Sequence, residues 1–234
     1  MPEKFLEELV ENYSNFFKEV HGREVYPNQD IVSCQALFDL CVKLSPDFVI
    51  DIGTNYGAST LTLAYALKTI GKPLSLLTTI DKSHGHWNEQ TLSIQNALLK
   101  KEGLDMSKIK TVESDFSSLD PTQFLRKDVK GFIFYDIHDN NLYTFSDRFL
   151  LNWVPLLGES IVAIHDCSFV PESHILRENY NDYTMTKHTH FSGKTYAGFN
   201  ECEPIIKWAN EKRCDIFDVP YTSIIYFKFN AKRK

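Results

Sequence analysis

Five short strand-like runs, four of them largely apolar and each ending in or followed closely by an acid, alternate with stretches of helical periodicity, and this rhythm constrains the chain most. "DFVID", "LSLLTTID", "IKTVES", "GFIFYD" and "SIVAIHD" read as strands. Between them, Ala58 to Thr69, "NEQTLSIQNALLKKEG" ending at Gly103, a short stretch from Pro121 to Lys127, and "YTFSDRFLLNWVPLL" read as helices. Strands that alternate with helices imply right-handed crossovers and a parallel sheet. Runs as continuously apolar as "GFIFY" and "SIVAI" suit strands covered on both faces.

The two ends differ from this middle. Phe5/Leu6, Leu9/Val10, Tyr13, Phe16/Phe17 and Val20 recur at helical spacing, which predicts a packed amphipathic helix. A second helix is expected from about Gln29 to Leu44, with Val32, Leu37, Leu40, Cys41 and Leu44 as its apolar face and Asn28 as its cap. After "ECEPIIKWANEKRC", a last helix, come "DIFDV" and "TSIIYFKF", two strands separated only by "PY". So short a connection requires an antiparallel pair. No repeat, low-complexity tract or Gly/Ser linker interrupts the chain, so one domain is expected over 1–234. It divides into N-terminal helices (1–45), a ligand-binding core (46–168), a polar segment (169–200) and the terminal helix with its strand pair (201–234). The polar segment follows the C-terminal end of a strand, where open α/β sheets bind ligands, so it is a candidate lid.

Charge and composition narrow the partners. A formal net charge of −6 argues against a nucleic-acid substrate, because phosphate binding needs clustered Lys and Arg. No apolar stretch approaches the roughly 18 residues that would span a bilayer, and the acidic amphipathic start is not a signal peptide. Five cysteines, Cys34, Cys41, Cys167, Cys202 and Cys214, are odd in number and lack metal-type pairing. Reduced thiols in a cytoplasmic protein are the expectation. A small molecule is the remaining partner class, and the two N-terminal helices offer a surface for a homo-oligomer.

The loop after the first strand, "DIGTNYGAST", sharpens the ligand. A dinucleotide loop would show G-x-G-x-x-G, whereas Gly53 and Gly57 make G-x-x-x-G behind Asp51. A carboxylate facing the loop suits a cofactor with a positive amino group better than a diphosphate, and S-adenosyl-L-methionine carries both an ammonium and a sulfonium. Asp81 ends the second strand, where it can accept both ribose hydroxyls. Asp115 ends the third, at the adenine side of such a cleft. The alternative for each acid is a helix cap or an exposed loop residue.

"VIDIGTNYGAST", "TTIDKS", "VESDF", "GFIFYDIHDN" and "SIVAIHDCS", in that order, resemble the class I, Rossmann-like S-adenosylmethionine-dependent methyltransferases over about Asp47 to Phe169. The resemblance implies a three-layer α/β sandwich with a mostly parallel seven-stranded sheet and an antiparallel last strand, preceded here by the two N-terminal helices. It also implies that Asp51, Gly53 and Gly57, with Asn55 and Ser59 of the same loop, line the methionine end. Asp81 would then face the ribose and Asp115 the adenine.

The fourth and fifth strands end in "YDIHDNN" and "AIHDCS". Adjacent parallel strands end side by side, so Asp136, His138, Asp139, His165 and Asp166 are expected to converge. Carboxylates with imidazole suit a divalent cation such as Mg2+. Such an ion lowers the pKa of a bound hydroxyl, and a neutral histidine takes its proton. The pattern is similar to the macrocin O-methyltransferase and cephalosporin-hydroxylase-like branch, with Tyr143 beyond the first acids. By that resemblance Asp136 and Asp166 are metal acids, and His165 is a ligand, a base or a structural residue. His138, where that branch has its second acid, and Asp139 are candidates for the catalytic proton transfer. The D/N-P-P-Y/F turn of amino-directed relatives is absent, which favours oxygen as the acceptor atom. "HGHW", His84 to Trp87, reads as a solvated loop rather than a metal site, and His174, Arg177, His188, His190 and Lys194 reach a substrate only if 169–200 closes as a lid.

Three rival readings stand beside this one. A metal-independent methyltransferase would use His138 or His165 as sole base. A nicotinamide-dependent oxidoreductase would need a third loop glycine and a Tyr-x-x-x-Lys pair, neither of which is supported. A protein of the same fold that binds a ligand or partner without catalysis would tolerate the unusual "IHDC".

Overall fold

The structure is a computed structural model of the 234-residue chain, and it describes residues 3–21, 31–82, 89–137, 148–169, 186–198, 202–220 and 222–229. Two units divide it, Met1–Phe116 and Ser117–Lys234.

In the first unit the helices are α1 (Glu3–His21), α2 (Ile31–Leu44), α3 (Ala58–Thr69) and α4 (Glu89–Lys101). The strands are β1 (Phe48–Ile52), β2 (Leu77–Asp81) and β3 (Lys110–Glu113), in the order β3-β2-β1. All are parallel, with Ile50 paired to Thr78 and Thr79 to Thr111. Every residue of β1 is buried, as its unbroken apolar run predicts. Helix α3 is buried continuously from Ser59 to Leu67, and the buried hydroxyls of Ser59, Thr60 and Thr62 are each hydrogen-bonded within this unit. Phe5 of α1 stacks on Tyr65 of α3 with centroids 4.2 Å apart, and Phe5, Leu6 and Leu9 are buried within this unit. Lys101 and Glu8 pair at 2.6 Å, tying α4 to α1. The expected cap of α2, Asn28, lies outside the described residues.

The second unit holds β4 (Gly131–Tyr135), β5 (Ser160–Ile164), β6 (Cys167–Phe169), β7 (Thr186–Thr189) and β8 (Thr195–Gly198). They are followed by α5 (Cys202–Lys212), β9 (Ile216–Asp218) and β10 (Ile225–Phe229). The order is β4-β5-β10-β9, with β4 parallel to β5 and β10 antiparallel to both of its neighbours. The main sheet therefore has seven strands, mostly parallel, with an antiparallel last strand. The helix expected from "YTFSDRFLLNWVPLL" is irregular where it is described. A π turn over Phe149–Trp153 runs into a 3-10 turn over Val154–Leu156. Pro155 has no N–H to donate there.

Gly158, just before β5, leaves no room for a side chain. A Cβ built on it would stand 2.1 Å from the Lys127 carbonyl oxygen and 3.0 Å from that of Val129. Both are backbone atoms, so they cannot swing aside as a side-chain tip would. Gly158→Ala is expected to cost on the order of 3 kcal/mol, read as a lower denaturant midpoint. An unchanged midpoint would mean that the 127–129 backbone yields freely.

Two features depart from the sequence reading. The first is in the polar segment, where β6, β8 and β7 form a separate antiparallel sheet in that order. Strands β7 and β8 are a hairpin closed by His190 N–H on Lys194 O and Gly193 N–H on His190 O, with Gly193 at φ 85°. His190 is buried, its Nε2 3.0 Å from the Cys214 carbonyl and its Nδ1 2.8 Å from Ser192 Oγ. Lys194 pairs with Asp218 at 2.8 Å. Both side chains thus have structural partners in this unit. The second is a correction: Cys167 and Cys202 are joined as a disulfide, with their Cα atoms 5.2 Å apart. Thirty-five positions separate them in sequence, so only the fold brings the start of β6 to the first turn of α5. Among the described residues, Cys34, Cys41 and Cys214 are not in disulfides.

Candidate functional site

The first unit carries the loop that links β1 to α3. Gly53, Asn55 and Gly57 all take left-handed backbone angles, φ 86°, 46° and 87°. Glycine occupies two of these positions because it has no Cβ to clash there, and Asn is the commonest non-glycine tolerated in that region. Gly57 N–H bonds the Thr54 carbonyl at 2.8 Å, closing the turn, and Gly57 O accepts the first helical bond of α3 from Leu61.

Two acids hold this loop from different sides. Asp51 is fully buried, and its Oδ2 accepts hydrogen bonds from Ser59 Oγ at 2.9 Å and Thr60 Oγ1 at 2.5 Å. It fastens the first turn of α3 to the end of β1. Asp81, at the end of β2, accepts the Asn55 N–H on Oδ2 at 2.8 Å. The structure therefore brings together Asp51, Gly53, Asn55, Gly57, Ser59 and Asp81. Asp115 follows β3, with Oδ2 3.4 Å from Lys82 Nζ. Thr60 carries no sequence signal of its own; its hydroxyl donates to Asp51 from inside the first turn of α3 and does not cap the helix, whose N-cap is Gly57.

The second unit carries a cluster where β4 and β5 end. His165 Nδ1 stands 3.2 Å from Asp136 Oδ1 and 3.2 Å from Asp166 Oδ1, and its side chain is only 6% exposed. One ligand atom from each of the three lies within 4.8 Å of the others. Asp166 has φ 56°, an uncommon angle for a residue with a side chain, and this turns its carboxylate back onto the ring. On the other edge of the ring, His165 Nε2 is 3.0 Å from Ser223 Oγ. Sequence gave no signal for Ser223, which enters from the turn before β10. His138, Asp139 and Tyr143 lie outside the described residues, as do His84 to Trp87, His174 and Arg177. The described residues give no side-chain account of His188 either.

Burial alone would push the His165 imidazole down, but hydrogen bonds to Asp136 and Asp166, and their charges, outweigh it and push it up to about 10. The ring is therefore a cation at neutral pH in this arrangement, offering neither a lone pair to a metal nor basicity to a substrate. Its raised pKa contributes stability that is complete below the unfolded value of about 6.5 and is lost as pH rises through about 10. In metal-stripped protein the thermal midpoint should fall more steeply over that window than in His165→Gln. Equal slopes would show that the ring does not hold a proton there.

No protein-family model matches the chain, and no curated protein is similar to it. Solved structures are similar in fold. A methyltransferase of Podospora anserina, solved with SAH bound, has a TM-score of 0.56 at 14% identity, over 98% of this chain and 89% of that one. A protein from Corynebacterium glutamicum gives 0.56 at 15% identity, over 96% and 90%. The apo structure of a TDP-rhamnose 3'-O-methyltransferase of calicheamicin biosynthesis gives 0.54 at 15% identity, over 98% and 95%. At these identities the likeness is one of fold, and that fold is the Rossmann-like methyltransferase sandwich.

Proposed function

We propose that this chain is an S-adenosyl-L-methionine-dependent methyltransferase that acts on a hydroxyl of a small molecule, whether sugar, polyol or natural product, with a divalent cation assisting. The observation that carries the cofactor half is the β1–α3 loop. It holds three left-handed residues and is tied by its Asn55 amide to Asp81, the acid that this reading assigns to the ribose hydroxyls. Asp51 and Ser59 shape that loop from behind, Gly53 and Gly57 let a ligand approach its backbone, and Asp115 stands at the end of the next strand for the adenine.

The acid–histidine cluster supports oxygen as the acceptor. Asp136, His165 and Asp166 supply two carboxylates and an imidazole within reach of one ion, a donor set that fits Mg2+ or a similar cation. When bound, such an ion lowers the pKa of a coordinated hydroxyl, and the cofactor supplies the methyl group. The chain's own part is to hold both acids in place, to give up the His165 proton as the ion enters, and to accept the acceptor's proton at His138 or Asp139. A metal-independent route would need a neutral histidine. Two carboxylates keep His165 charged, which leaves His138 as the base for that route.

A net charge of −6 supports a small-molecule partner over nucleic acid, and among the described residues no helix is long and apolar enough to cross a membrane. A cytoplasmic location and association through α1 and α2 belong to the same proposal, although the Cys167–Cys202 disulfide is a feature of oxidising compartments. The test is calorimetric titration of S-adenosylhomocysteine into metal-stripped protein, repeated with Mg2+. Micromolar binding is the expected result, with extra heat from Mg2+ that Asp136→Ala removes. Absence of binding in every condition would return the loop to the status of a turn and favour a non-catalytic protein of this fold.

A further inference from the structure

The geometry points to Ser223 as the positioning residue that fixes the ring of His165, an inference that rests on reading the Asp136–His165–Asp166 cluster as catalytic. The antiparallel ladder between β5 and β10 pairs Ile164 with Ile225. Carried two residues past the strand ends, the same register sets Ser223 across from Asp166. The left-handed backbone of Asp166 interrupts the ladder there. The ladder then resumes, with the Cys167 N–H donating to the Ser223 carbonyl at 3.0 Å. Ser223 is thus anchored by its backbone to the residue after the cluster, while its hydroxyl meets His165 Nε2 at 3.0 Å.

The turn that carries Ser223 is itself closed on several sides. Val219 N–H donates to Ile224 O at 3.0 Å, Thr222 N–H to Val219 O at 3.2 Å, and Ile224 N–H to Thr222 Oγ1 at 3.0 Å. A hydroxyl presented from so constrained a turn has little freedom to follow a rotating ring. An imidazole turned over about its Cβ–Cγ bond would present a carbon, not Nδ1, to Asp136 and Asp166. The Ser223 contact on the opposite nitrogen opposes that rotation, which is the usual task of the group behind a metal-site or catalytic histidine.

The first readout is the ring itself. With histidine labelled in 15N and 13C, and His165 assigned by its loss in His165→Gln, an Overhauser contact between His165 Hε1 and Ser223 Hβ is expected in the unsubstituted protein. Ser223→Ala should shift the Nε2 resonance, and Ser223→Thr should restore it. The second readout is Mn2+ affinity by electron paramagnetic resonance, which Ser223→Ala should weaken by roughly 10- to 100-fold, the usual cost of removing an outer-shell partner. No Overhauser contact, or an Nε2 resonance unmoved in folded Ser223→Ala, overturns the proposal. If Mn2+ fails to bind the unsubstituted protein, the metal reading fails by itself, and the ring resonances still decide the role of Ser223. Binding of S-adenosylhomocysteine, measured in each variant, reports separately on the cofactor reading.

Discussion

Asp81→Ala is expected to weaken S-adenosylhomocysteine binding by roughly 10- to 100-fold, the equivalent of losing hydrogen bonds to one charged group at about 1.5–3 kcal/mol. Two losses combine in that figure. The first is the proposed contact with the ribose hydroxyls, to which a carboxylate can offer two acceptor oxygens. The second is the grip on the loop, because Asp81 Oδ2 accepts the Asn55 N–H at 2.8 Å and Asn55 sits at φ 46°. Asp81→Asn separates them: its amide oxygen can still accept from Asn55, while one ribose acceptor becomes a donor. Titration calorimetry on both variants should give an intermediate affinity for Asn. Wild-type affinity in Asp81→Ala would remove this acid from the cofactor site.

The second large effect concerns covalent connectivity. Reduction of the Cys167–Cys202 bond, or Cys202→Ser, opens a closure between residues 35 apart. Loop-closure entropy for a ring of that size is about 4 kcal/mol at most. For a chain of this length, each kcal/mol moves the melting temperature by roughly 2–4 °C. A drop of about 8–15 °C is therefore expected when the protein is melted with a reductant, and the Cys202→Ser variant should melt at that lower temperature in either condition. A melting temperature indifferent to reductant would mean that the two sulfurs contribute nothing as a bond.

What was legible in the sequence is what depends on neighbours along the chain. The apolar runs located β1, β4 and β5 within a residue or two, since burial on both faces writes itself as a nearly unbroken hydrophobic string. Gly53 and Gly57 marked a loop whose backbone demands left-handed angles. The short "PY" link foretold that β9 and β10 pair antiparallel. What was not legible depends on register between distant segments. Ser223 meets His165 because β10 returns beside β5 with Ile225 opposite Ile164, and Cys167 meets Cys202 because the start of β6 and the start of α5 come together across 35 positions. The β7–β8 hairpin is an intermediate case: "SG" at its tip is a turn signal, but a polar sequence on either side hid the strands. The charge state of His165 also escaped: the convergence of Asp136 and Asp166 is legible from the strand ends, but not that both carboxylates stand 3.2 Å from one buried ring nitrogen.

The left-handed backbone at Asp166 bears on how this chain can change. An L-residue with a side chain costs roughly 1–2 kcal/mol in that conformation, and glycine would remove the cost. Glycine there would also delete one of the two carboxylates that grip His165, and with it part of the stability that this ion pair contributes at neutral pH. Backbone and ion pair thus pull the stability of position 166 in opposite directions. Asp166→Asn, which removes the charge and is still tolerated in the left-handed region, separates the two from Asp166→Gly.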